Sequence, residues 1–330
     1  MPMARMTLFY LGPEGTFTHQ AAMMAAEEFH LLGDFDLAAM PDIPSIFEAV
    51  QSHKGWGVIA WENNVEGYVV PNLDALIDAP DVAGFARVSV DIAFNAFVTH
   101  DTQTSGTGLG GAQVLAHSHG LAQCKQFIAA HGLRSKPSSS NAAACRDLQD
   151  GQVALGPGIC GELYHLSTIA EHVQDYDGAH TEFLIIAPRD VVHELNARAG
   201  HGQAEEFETI VTFIPLVTGP GVLANLLDVL RDAGLNMTSF ISRPIKGHDG
   251  TYSFIATVDA APWEQRFRNA LEEIVDHGDW VKTLAVYPRR ERPNPPVNTW
   301  MLPTGGVHIE SEMADSNWRE HDIVRREMLW

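Results

Sequence analysis

Four clusters of residues in this chain have the types and spacing to hold an anion. In YLGPEGTFTHQAA, positions 10–22, an apolar segment runs into Gly12-Pro13, Gly15 permits an unusual backbone, and Phe17, Ala21, Ala22 and Ala25 recur at helical spacing. Thr16 or Thr18 can cap that helix, whose first N–H groups then face the loop and attract carboxylate or phosphate. An ordinary strand–turn–helix connection has the same spacing. Glu62-Asn63 sets a carboxylate and an amide where an apolar strand ends, placed either to hydrogen-bond a polar ligand or simply to turn the chain. His117 and His119 flank a predicted helix over 120–130 that Ser118 can cap, and protonated they would add charge toward an anion. Ser138, Ser139 and Ser140 precede an Ala-rich helix, where hydroxyls cap and can also hold a carboxylate without a cation.

These clusters need a frame. Over residues 1–190 short apolar runs at 7–11, 57–60, 88–98, 114–116, 153–155 and 183–187 read as strands, with helices near 17–29, 44–51, 120–131 and 141–149, an α/β alternation. The Gly-rich 105–111 precedes a strand instead of following one and lacks a Lys-Ser/Thr, so it reads as a surface loop, not a phosphate cradle. Residues 189–207 turn polar and lose periodicity, the mark of a connector. A second unit then runs strand 208–216, helix 222–233, strands 236–244 and 251–258, helix 262–277 and strand 281–287, a ferredoxin-like order. From 289 the Pro- and Gly-rich RRERPNPPVNTWMLPTGG predicts an extended tail. The expected divisions are 1–190, 191–206, 207–288 and 289–330.

The 330 residues carry 42 acidic and 21 basic side chains, a net charge of −21, which argues against nucleic acid and anionic membranes as partners. Cys124, Cys145 and Cys160 are irregularly spaced, with neither a disulfide framework nor a metal-ligand rhythm, so no metal and no cofactor is expected. No window reaches the length of a membrane span and the N-terminus lacks a leader pattern, and the expectation is a cytoplasmic protein. Cations are scarce where an anion would bind: before position 185 there are only Arg5, Lys54, Arg87, Lys125, Arg134, Lys136 and Arg146.

Five blocks, in order, resemble the prephenate dehydratase family. Gly12–Ala22 is similar to its opening motif. GVIAWENNVEGYVV (57–70) is similar to Gly-Val-x-Pro-Ile-Glu-Asn-Ser followed by Glu-Gly, with Trp61 for Ile and Asn64 for Ser. AHSHGLAQC (116–124) resembles His-Pro-Gln-Ala-Leu-x-Gln-Cys, keeping His117, Leu121, Gln123 and Cys124, with His119 for Gln. Residues 138–143 match a Ser/Thr-rich helix start. VQDYDGAHTEFLII (173–186) aligns on the family's Gln-Asp, Asn, Thr-Arg-Phe signature; Gln174, Asp175, Thr181 and Phe183 are kept, Ala179 stands for Asn and Glu182 for Arg.

The resemblance implies two α/β lobes of the periplasmic-binding-protein type with the active site between them. Thr181 is then catalytic with Glu62 and Asn63, and substrate contacts come from Thr16, Trp61, Asn64, His117, His119, Ser138, Ser139, Glu182 and Phe183. Residues 219–245 resemble the ACT domain, in which Gly219, Gly221, Val222, Leu223, Ser242, Arg243 and Pro244 match a phenylalanine site at a dimer interface, with Ile241 where the family has Glu. The implied assembly is a homodimer or homotetramer with L-phenylalanine as effector.

The implied reaction turns prephenate into phenylpyruvate, carbon dioxide and water, with Thr181 donating a proton or hydrogen bond to the departing hydroxyl. Glu182 in place of Arg sets a negative charge near a dianion, a cost of roughly 3 kcal/mol at ~6 Å and an effective dielectric of ~20. Strand alternation would turn Glu182 away from the face of Thr181 and Phe183. Two further readings stay open: a prephenate decarboxylase that leaves the ring non-aromatic, and a ligand-binding homologue without activity.

Overall fold

The structure, a computed structural model, describes residues 5–104, 109–199, 206–248, 250–289, 296–308 and 318–329. The chain forms two compact units, residues 1–290 and 291–330.

The first unit opens with β1 (Met6–Leu11), α1 (Phe17–Glu28), β2 (Phe35–Met40), α2 (Ile43–Gln51), β3 (Gly55–Asn63), β4 (Gly67–Tyr68), α3 (Val70–Asp78) and β5 (Val82–Asp91). It crosses to a second sheet through β6 (Asn95–Val98), α4 (His100–Thr104), β7 (Gln113–Ala116), α5 (Ser118–Gln123), α6 (Lys125–Ala130), β8 (Arg134–Pro137), α7 (Asn141–Arg146), β9 (Val153–Gly156), α8 (Ile159–Leu163) and β10 (Ser167–Ala170). It returns with β11 (His180–Pro188) and α9 (Arg189–Ala199), and β12 (Phe207–Ile214), α10 (Val222–Asp232), β13 (Met237–Pro244), β14 (Tyr252–Val258), α11 (Gln265–Asp276) and β15 (Trp280–Pro288) follow.

Two sheets result, in the orders β13-β14-β12-β15-β5-β11-β3-β1-β2 and β10-β6-β9-β7-β8. They are the centres of two α/β lobes, and the two crossings bond to each other: Ile92 donates its N–H to the Ala179 carbonyl (2.7 Å) and Val173 to that of Phe94 (2.8 Å). Thr181 therefore sits one residue past the return crossing, where the lobes meet.

One face of the larger sheet packs Tyr10, Val88 and Phe183 against Ala21, Ala22 and Ala25 of α1. The other packs Trp61, Leu184 and Ile186 against α2, α3 and Tyr287. Strands β12 to β15, in the antiparallel ferredoxin-like order, extend this sheet through β15 beside β5. Their only register pair there is Gly84 with Ala285, and a Cβ on Gly84 would come within 2.7 Å of the Ala285 Cβ. The missing side chain lets the two backbones approach.

Several expectations change. The run 88–98 is two strands, because the lobe crossing interrupts it at 92–94. The polar segment after Pro188 opens with the helix Arg189–Ala199, where Val192 and Leu195 are buried against the sheet and supply the apolar stripe that hydropathy alone hides. The remainder of that connector, 200–205, and residues 105–108 of the Gly-rich loop lie outside the described residues. The single helix expected over 120–130 is two, α5 and α6, divided at Cys124. The cause is Asp175, whose carboxylate takes the N–H groups of Lys125 (2.9 Å) and Gln126 (3.0 Å) and starts a new helix. In the second unit a 3₁₀ turn, Thr299–Met301, and a short helix, α12 (Asp322–Met328), form where an extended tail was expected. No helix among the described residues is long and apolar enough to cross a membrane.

Candidate active site

Thr181 and Asn63 are directly opposite in the register of β11 and β3. The Asn63 side-chain amide donates to the Thr181 hydroxyl oxygen at 3.0 Å and to the His180 carbonyl at 3.1 Å. Its oxygen accepts the N–H groups of Val65 and Glu66, each at 2.9 Å. With all its polar atoms committed, the Asn63 side chain has one orientation. It occupies an acceptor position of Thr181 Oγ1, leaves that hydroxyl its own hydrogen to donate, and polarises it as a donor. Thr181 is 8% exposed, so its hydrogen bonds act in a medium of low dielectric.

The next cross-strand pair, Glu182 opposite Glu62, occupies the other face of the sheet. Glu182 lies 3.2 Å from Arg87 and 3.6 Å from His180. Burial, and then the Glu182 carboxylate, raise the Glu62 pKa above the usual carboxylate range, with Arg87 and His180 opposing. This corrects the assignments of Glu62 as a catalytic neighbour of Thr181 and of Glu182 as a substrate contact: successive strand residues alternate faces, so Asn63 and Glu62 cannot both reach the threonine. Trp61 is corrected as well. Phe183 pairs with Ala60, so Trp61 is bulged and turns its indole to the same far face, 3% exposed and edge-on to Tyr68. Phe183, 1% exposed, is a core residue beneath Thr181 and not a substrate contact.

The Gly12–Ala22 loop is largely self-satisfied. Thr16 caps α1, accepting from the His19 N–H (3.2 Å) and donating to the Pro13 carbonyl (3.0 Å), while the Gly15 N–H goes to His19 Nδ1 (3.0 Å). His19 stacks on Tyr10, and burial lowers its pKa, which suits a neutral ring accepting at Nδ1. Gly15 has φ +83°, and a Cβ there would press on Cys160 and Tyr164 of the other lobe at 3.1 and 3.2 Å. Those residues close this rim: Tyr164 donates to the Glu14 carbonyl (2.6 Å) and Cys160 to that of Gly15 (3.2 Å).

The opposite rim closes on Glu66. Its carboxylate meets His119 Nδ1 at 3.2 Å and the Gln123 amide at 3.0 Å. His117, not Ser118, is the N-cap of α5; its Nδ1 accepts from the His119 N–H (3.4 Å), and burial followed by the His119 charge lowers its pKa. Asn64 clasps the return crossing, donating to the Gly178 carbonyl (2.9 Å) and accepting from the His180 N–H (2.8 Å). Ser140, not Ser138 or Ser139, caps α7. Sequence reasoning did not find Tyr164 or Arg87, because each acts through a partner remote along the chain, nor His180, whose backbone is held by the distant Asn63 and Asn64.

Five of the seven residues matched to an effector site line two cavities. Gly219, Val222 and Leu223 line one of about 440 Å³ with Tyr252 and Phe254; Gly221, at φ +88°, is the N-cap of α10. Arg243 and Pro244 line the other, of about 290 Å³, where Arg243 makes a two-pronged pair with Asp74 of α3, both bonds 3.2 Å. Ser242 is exposed, and Ile241 pairs with Ile255 against a core of the larger sheet.

The family model described as prephenate dehydratase matches residues 8–191. The chain belongs to the prephenate dehydratase family. It is 30% identical over 292 residues to the prephenate dehydratase of Corynebacterium glutamicum, covering 84% of this chain and 88% of that one. To the prephenate dehydratase of Methanocaldococcus jannaschii it is 26% identical over 285 residues, covering 85% and 97%. Among solved structures it is similar to the prephenate dehydratase of Arthrobacter aurescens in complex with L-Phe, with a TM-score of 0.72, 23% identity and coverage of 89% of this chain and 94% of that one. This last likeness bears on the fold.

Proposed function

We propose that this member of the prephenate dehydratase family converts prephenate to phenylpyruvate, carbon dioxide and water, with residues 1–190 as the catalytic part and 207–288 as an ACT regulatory domain answering to L-phenylalanine. The observation that carries the reading is the Asn63–Thr181 bond at the lobe crossing, which leaves one buried hydroxyl with a hydrogen to give. Thr181 donates to the departing hydroxyl as the ring carbon–oxygen bond breaks. The electrons come from the bond to the ring carboxylate, which leaves as carbon dioxide, and a proton from solvent completes water. A threonine is a weak acid, so its effect lies in stabilising negative charge on the departing oxygen from a fixed position.

The position of Glu182 supports prephenate as the substrate. With its carboxylate on the far face, paired to Arg87 and His180, the electrostatic objection to a dianionic substrate loses its basis. The apolar cavity beside Val222 and Leu223 supports an aromatic effector. The test is to add prephenate and follow phenylpyruvate by its absorbance, with products identified by mass spectrometry. A non-aromatic decarboxylated product, or no product, rejects the reading. An activity indifferent to L-phenylalanine rejects the regulatory half.

A further inference from the structure

Behind Thr181, on the face of the sheet away from the substrate, carboxylates from three strands converge: Glu62 on β3, Glu182 on β11 and Glu208 on β12. Arg87 of β5 stands among them, 3.2 Å from Glu182 and 3.6 Å from Glu208, with its guanidinium 5.2 Å above the buried Tyr287 ring. The three paired side chains are 16%, 11% and 9% exposed, so little solvent screens the cluster. The second oxygen of Glu182 faces His180, and Glu208 also lies 3.9 Å from Arg289, which reaches Asp259 at 3.5 Å. A chain of alternating charge thus runs from the 207–288 region to Glu182, the residue after Thr181.

We propose that Arg87 is a positioning residue for Thr181: by clamping Glu182 to Glu208 it fixes the start of β11, and with it the hydroxyl that Asn63 orients. The inference rests on the dehydratase reading for its effect on turnover. His180 and Glu182, on either side of Thr181, lie 3.6 Å apart on the far face, so a shift of Glu182 turns the neighbouring threonine side chain on the near face. Without Arg87 the buried Glu182 and Glu208 lose the cation between them, Glu182 faces Glu62 across the β11–β3 pair without it, and β11 relaxes at the point where 3.0 Å separates Asn63 from Thr181. Arg87 does not touch the substrate, so its loss is expected in kcat and not in KM.

The experiment compares the unchanged protein with Arg87→Gln, Glu182→Gln and the double variant, measuring kcat and KM for prephenate alongside thermal melting. Expected are a fall in kcat of about tenfold or more for Arg87→Gln with KM within about threefold, and a double variant no worse than Arg87→Gln, since both changes break one pair. A folded Arg87→Gln with unchanged kcat, a loss confined to KM, or losses that multiply in the double variant would overturn the proposal. Should Arg87→Gln not fold, Glu182→Gln decides, and unchanged kcat in that variant is equally fatal. The Thr181 methyl signal, read by ¹³C NMR, must also shift in whichever variant folds. That readout stands even if the unchanged protein does not turn over prephenate, which would count against the dehydratase reading alone.

Discussion

Replacing Thr181 by Val removes one oxygen and keeps the shape, which separates turnover from stability. In the folded protein that oxygen accepts one hydrogen bond from Asn63, and Asn63 retains the His180 carbonyl and its two backbone donors when the oxygen is gone. The stability loss is therefore that of one neutral hydrogen bond, about 1 kcal/mol. In a chain of this length that lowers the melting temperature by about 2 °C. Turnover should respond far more strongly. Removing a fixed donor aimed at developing negative charge costs about 10²–10³ in kcat, roughly 3–4 kcal/mol. Phenylpyruvate formation measured by absorbance, with melting followed by circular dichroism, reads both quantities on the same preparation. Thr181→Ser keeps the hydroxyl and should retain most of kcat. A Val variant with kcat within about threefold of the unchanged protein would refute the role given to this residue.

Folded Glu62 holds its proton more tightly than the unfolded chain does, so its contribution to stability is present below the ordinary carboxylate range and is lost as pH rises through the raised folded value. Glu62→Gln should accordingly gain stability relative to the unchanged protein between pH 4 and pH 7 in urea unfolding, and an equal difference at both pH values would contradict this. Gly84→Val forces a side chain into a space where even a Cβ comes within 2.7 Å of Ala285, and should cost about 1–3 kcal/mol by chemical denaturation; a neutral result would mean that the β5–β15 contact is looser than described. Asp74→Asn weakens the pairs with Arg243 and Lys246, the latter at 3.4 Å, and should lower stability by about 1 kcal/mol or less in thermal melts. A gain in stability would show that those cations do not need Asp74.

The sequence by itself determined what local chemistry can encode. Short apolar runs separated by helical spacing produced the α/β lobes, and strand–helix–strand–strand–helix–strand produced the ferredoxin-like order, because side-chain periodicity reports burial over a few residues. It also carried the family through motif residues such as Thr181 and Asn63, and the two-residue repeat of a strand was enough to turn Glu182 away from the threonine. Only the tertiary structure decided which face each neighbour takes around the bulge at Trp61, since that depends on how Phe183 pairs across β11 and β3. The same holds for the break between α5 and α6, made by the distant Asp175, and for the helix after Pro188, whose few apolar residues suffice because the sheet is there to cover them. Arg87 shows the limit most plainly. Nothing beside it in the chain marks it, and its place in the structure comes from carboxylates that two other strands bring within reach of one guanidinium.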